Sequence, residues 1–133
     1  MIAESASDRL QEEIDYFGQK ADQVLKIWMQ QREKAPELWG QQPITTFVAH
    51  LRDQYHKVTK KTDFDPEELK KLGELAKQSS DVLSQASRAA KGGDFAAKRK
   101  FSGYDGIVQV VGQVGGSIDD IFRYAELAKQ EQE

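Results

Sequence analysis

His50 and His56 are the only histidines in the chain, and His56 follows Asp53 by three residues. An aspartate and a histidine at that spacing share one helix face, and such a pair is a third of the ligand set that a di-metal centre in a helical bundle requires. The rest is a second carboxylate–histidine pair and two more glutamates. His50 has no carboxylate three residues before it and lies six residues from His56, so no metal site is expected. Cysteine is absent, which removes disulfides, thiolate metal ligands and a cysteine nucleophile. Serines and aspartates are plentiful, yet no nucleophile elbow, phosphate-cradling glycine loop or paired-carboxylate motif surrounds them. The chain therefore reads as a non-enzyme with no cofactor.

Other residues could bind rather than react. Lys98, Arg99 and Lys100 form the densest basic cluster, with Lys91 nearby and Phe95, Phe101 and Tyr104 interleaved. Basic and aromatic residues in this mixture can hold single-stranded nucleic acid. A net charge of −3 and a pI near 5.5 oppose that use, because displacing counterions from a phosphate backbone takes a basic excess. The cluster reads as a solvated helix face, and no nucleic-acid partner is expected. Gly112, Gly115 and Gly116 fall inside a helical pattern, where each glycine costs about 1 kcal/mol against alanine. Gly112 and Gly116 are four apart and share a face. They form either a floor where a partner helix or flat ligand touches backbone, or a close contact with Trp28 or another bulky core residue. Packing is the expected reading. Trp39 lies between Pro36 and Pro43, outside every apolar stripe. It can anchor a protein partner from a partly exposed position, or cap the open end of the core, which is preferred.

The elements that must position these residues are written in four apolar stripes with steps of three and four. Leu10, Ile14, Phe17, Ala21, Val24 and Trp28 make the first, widened by Leu25 and Met29. Ile44, Phe47, Val48, Leu51, Tyr55 and Val58 make the second. The third is Leu69, Leu72, Ala76, Ser79, Leu83, Ala86 and Ala90, and the fourth Ile107, Val111, Val114, Ile118, Ile121, Ala125 and Ala128. Each keeps its side chains on one helical face. Asp8, with Gln11 three residues on, is the expected N-cap of the first helix, and residues 35–43 are the connection that follows it. Pro43 suits the first turn of the second helix. The third helix should start at Asp65 as N-cap, with Pro66 at its first position, Glu68 completing a capping box, and Phe64 stapled to Leu69. Gly92 and Gly93 should end it. Asp94 caps either a short helix over 95–101 or one long final helix, and the 108–111 segment also has strand propensity.

With 133 residues, 38% hydrophobic and 31% charged, the chain is the length of one domain spanning 1–133. The expected fold is all-α, an antiparallel up-down-up-down four-helix bundle. The least polar run, 107–116, is too short to span a bilayer. Function is expected to be binding, most simply of another protein. The alternative is a carrier of a small ligand or non-covalent cofactor held between helices. Candidate contact residues are Trp39, Gly112, Gly115 and Gly116. Compartment and oligomeric state stay open.

Residues 89–123 add a resemblance. The run Ala89-Ala90-Lys91-Gly92-Gly93-Asp94-Phe95-Ala96-Ala97, followed by Gly112-Gln113-Val114-Gly115-Gly116-Ser117-Ile118-Asp119-Asp120-Ile121-Phe122-Arg123, resembles the C-terminal third of the cytochrome c′ family. Those proteins are four-helix bundles of about this length, whose last helix carries Cys-x-x-Cys-His shortly before an aromatic–Arg pair. Where the family places the two cysteines and the histidine, this chain has Gly115, Ile118 and Asp119. The resemblance implies the bundle and a haem-type pocket repurposed or filled in, but no haem role.

Overall fold

A computed structural model describes residues 5–61, 65–93 and 104–132. They form five helices: α1 (Ala6–Gln31), α2 (Pro36–Trp39), α3 (Gln42–Lys61), α4 (Pro66–Lys91) and α5 (Tyr104–Gln132). There is no strand among the described residues, and residues 108–111 are helical.

Local chemistry sets most boundaries. α1 begins three residues before its expected start, because Ser5 rather than Asp8 is the N-cap. The Asp8 N–H donates to Ser5 Oγ at 3.1 Å and the Asp8 carboxylate accepts from the Ser5 N–H at 3.4 Å, a reciprocal capping box. Gln11, proposed as Asp8's capping partner, instead donates to Asp15 one turn on. The connection at 35–43 is not fully irregular, since Pro36 opens the single helical turn of α2 and Pro43 already lies within α3. Asp65 caps α4 by accepting from the Glu67 N–H at 3.0 Å, with Pro66 at the first helical position. The Glu68 carboxylate lies 3.8 Å from His50 Nδ1 on α3. At the far end the Gly92 N–H donates to the Arg88 carbonyl, and Gly93 takes φ 92°, a conformation that glycine alone adopts without strain. Phe64 and its staple, and the Asp94 start with residues 95–101, lie outside the described residues.

Each long helix packs against two others: α1 on α5 and α3, and α4 on α5 and α3. Contacts near the ends set the directions of α5 relative to α1 and α4. The Ala6 N–H at the start of α1 donates to the Glu131 carboxylate near the end of α5, while Tyr104 at the start of α5 donates to Gln31 at the end of α1. Ser87 and Lys91, late in α4, hold Asp105, early in α5. Ser79 on α4 donates to the Pro43 carbonyl at the start of α3. Gly18 on α1 admits α3: a Cβ there would stand 3.0 Å from Thr59 Cγ2. The four stripes turn inward, and Phe17, Phe47, Leu51, Leu72, Leu83, Val114 and Ile118 are buried in one cluster; Met29, expected to widen the first stripe, is instead 58% exposed. Ser79 and Ser117 enter this core because each hydroxyl donates to a backbone carbonyl.

Candidate functional site

α4 and α5 approach closely over a short stretch because small residues meet there. A Cβ on Gly115 would lie 3.7 Å from Ala76 Cβ, and one on Gly73 would lie 3.5 Å from Ile118 Cγ2; both are ordinary van der Waals contacts. Above this line the surface opens into a groove of about 470 Å³. Val111, Ile118 and Phe122 supply apolar surface, Lys70, Glu74, Lys77 and Asp81 form the α4 wall, and Asp119 stands on the α5 side. Gly112, Gly115 and Gly116 all line it.

The packing expected of the glycines is not what the structure shows at two of them. Among the described residues a Cβ at Gly112 or at Gly116 would meet nothing within 4 Å, and both residues are exposed. The sequence pattern establishes that they share a face. Which face that is depends on where α4 lies, and α4 covers only Gly115. Trp28, the proposed neighbour, sits on α1 under the Arg32 and Arg52 guanidiniums, 4.6 and 5.7 Å from its ring centre.

Trp39 is separate from this groove and is 2% exposed, which agrees with the preferred core-capping reading and leaves it no partly exposed surface from which to anchor a partner. Its Nε1–H donates to the Tyr104 hydroxyl at 2.8 Å, the rings meet edge to face at 6.1 Å, and that hydroxyl donates to Gln31 Oε1 at 3.3 Å. The indole thereby ties α2 to the end of α1 and the start of α5. Burial raises the Tyr104 pKa above the ordinary phenol value, against the opposing effect of the Trp39 hydrogen bond.

The remaining candidates do not converge. Asp53 pairs with Lys57 at 3.2 Å, while the His56 ring stands edge-on to Tyr55 at 5.4 Å. Among the described residues no three His, Asp or Glu side chains gather as metal ligands would. Lys98, Arg99, Lys100, Phe95 and Phe101 lie outside the described residues. Of their neighbours, Lys91 pairs with Asp105 at 2.7 Å and Tyr104 is buried.

Lys70, Glu74, Lys77 and Asp81 were missed by sequence reasoning. Their steps of four, three and four repeat the rhythm of the apolar stripes on the outer side of α4, a second and charged stripe that was legible but carried no apolar signal. Among the described residues the groove's charged wall makes no ion pair, its floor is apolar, and the backbone at Gly112 and Gly116 is exposed. No family model matches the chain, and neither a characterised protein nor a solved structure does.

Proposed function

We propose that the chain is an antiparallel up-down-up-down four-helix bundle that acts by binding rather than catalysis, and that the α4–α5 groove is where a helix of a protein partner docks. Supporting the bundle are the four pairs of long helices that pack together and the end contacts that run α5 against α1 and α4, with α2 serving as part of a connection. Supporting the docking site is one observation above all. Gly112 and Gly116 are helix-interior glycines whose Cβ positions are open among the described residues, so the roughly 2 kcal/mol of lost helix propensity is not offset by packing there. Glycines on an open helix face let another backbone approach closely, as small residues do between packed helices generally. Gly115, Ile118 and Asp119 stand where the cytochrome c′ family carries its haem-attaching residues, and all three line this groove without a thiol or imidazole. The acidic net charge favours a protein over a nucleic acid. No described helix is long and apolar enough to cross a membrane.

The groove's volume also falls within the range of small-ligand sites, which keeps a carrier role as the second reading. Selection of amphipathic helical peptides against the purified protein tests the first. Peptides that bind wild type and are lost on Gly116→Leu, with helical circular dichroism and melting unchanged, are the expected result. Peptides that survive the substitution refute the docking site. Colour, or a native mass exceeding 15.0 kDa by a discrete small molecule, would transfer the proposal to the carrier.

A further inference from the structure

We infer that the α4–α5 face is a self-association surface and that the helix it receives belongs to a second copy of this chain. The inference rests on the docking role proposed for the groove and names its occupant. Lys70, Glu74, Lys77 and Asp81 are all exposed along the α4 wall, and none makes an ion pair among the described residues. Their signs alternate, positive, negative, positive, negative, so the row read backwards is its own complement. A second α4 laid antiparallel across the first places the two-fold axis perpendicular to the helices, between residues 75 and 76. Lys70 then opposes the partner's Asp81, and Glu74 opposes the partner's Lys77. By symmetry each pair occurs twice, and no like charges meet. A parallel arrangement in the same register sets every charge against its own kind, so the row selects an orientation as well as a partner.

The same axis makes sense of α5. Ala76 lies beside Gly115, so the level of residues 75–76 on α4 is that of residues 115–116 on α5. The two-fold therefore crosses α5 at Gly115 and Gly116, and Gly112 is one turn away. An isologous contact meets itself at its axis, and the bare backbone at Gly116 lets α5 approach the partner's α5 while the α4 rows pair alongside. One symmetry operation thus satisfies two independent features, the charge row of one helix and the glycines of the next.

Sedimentation equilibrium or light scattering tests the inference. Wild type should reach twice the 15.0 kDa chain mass at high micromolar concentration, dissociate on dilution, and weaken with added salt. Glu74→Lys sets lysine against the partner's Lys77 at both ends of the two-fold, and Lys77→Glu sets glutamate against the partner's Glu74. Each variant alone should lose at least about tenfold in self-affinity. Mixed in equal amounts they should recover a heterodimer, and the double variant Glu74→Lys/Lys77→Glu should recover the homodimer. That recovery also shows that the single variants are folded. A monomeric wild type overturns the inference, as do single variants that associate like wild type or a mixture that stays monomeric. A monomeric wild type that still binds the selected helical peptides removes self-association and leaves the docking reading standing. A charge-dependent dimer that selects no peptide supports self-association and removes only the separate partner.

Discussion

Replacing Gly112 and Gly116 by alanine should stabilise the folded chain, and the size of the effect follows from their surroundings. A Cβ at either position meets nothing within 4 Å, so the added methyl is neither crowded nor packed. What remains is the helix-propensity difference, about 0.8–1.0 kcal/mol per site in favour of alanine. Unfolding entropy is about 2.1 cal/mol/K per residue, or about 0.28 kcal/mol/K over 133 residues. Each substitution should then raise the midpoint by about 3 °C. The pair should give about 6 °C if the two sites, which share no packed neighbour, act additively. Gly18→Ala is the internal control: its Cβ would lie 3.0 Å from Thr59 Cγ2, so crowding offsets the same propensity gain and its shift should be smaller. Calorimetry at two protein concentrations makes the comparison, because loss of an association would make the shift depend on concentration and a propensity effect would not. A concentration-independent destabilisation by Gly112→Ala or Gly116→Ala would refute the reasoning, since it would mean that the α5 face is filled rather than open.

Further outcomes follow from the ends of the helices. Trp39→Phe removes the indole N–H from Tyr104 in a buried setting and should cost about 1–3 kcal/mol in denaturant unfolding, with loss of near-ultraviolet dichroism; an unchanged midpoint would contradict the buried contact. Ser5→Ala should cost about 1 kcal/mol as the loss of an N-cap, whereas Gln11→Ala should cost less, and the reverse order would return the start of α1 to Asp8. The raised Tyr104 pKa means that the folded state keeps the phenol proton where the unfolded chain releases it. Stability from this group is intact below about pH 10, the ordinary phenol value, and is lost as pH rises through the folded value. Denaturant midpoints measured across that range should fall less steeply in Tyr104→Phe than in wild type, and parallel slopes would refute the assignment.

The alternation of steps three and four was enough to place nearly every core residue, because a helix leaves only one face on which such positions coincide. Ile14, Phe17, Leu51, Leu72, Leu83, Val114 and Ile118 were all legible in that way, as were the caps at Asp65 and Gly92, where a side chain or a flexible backbone answers groups left over by its own helix. The start of α1 was misjudged because Asp8 and Ser5 both have cap-forming side chains, and the choice lies in which reciprocal bond closes. The partner that secures Trp39, whose core-capping place was expected, and the openness of the glycine face were beyond the reach of local pattern for a different reason. Whether an indole in a connection is buried depends on Tyr104, sixty-five residues later, arriving to accept its hydrogen. Whether a glycine face is packed or open depends on how much of α5 the neighbouring α4 covers, and it covers Gly115 while leaving Gly112 and Gly116 bare. Periodicity sets the angles of side chains around one helix axis. The distance from that axis to its neighbour is set by all the side chains between them, and the groove exists only at that level.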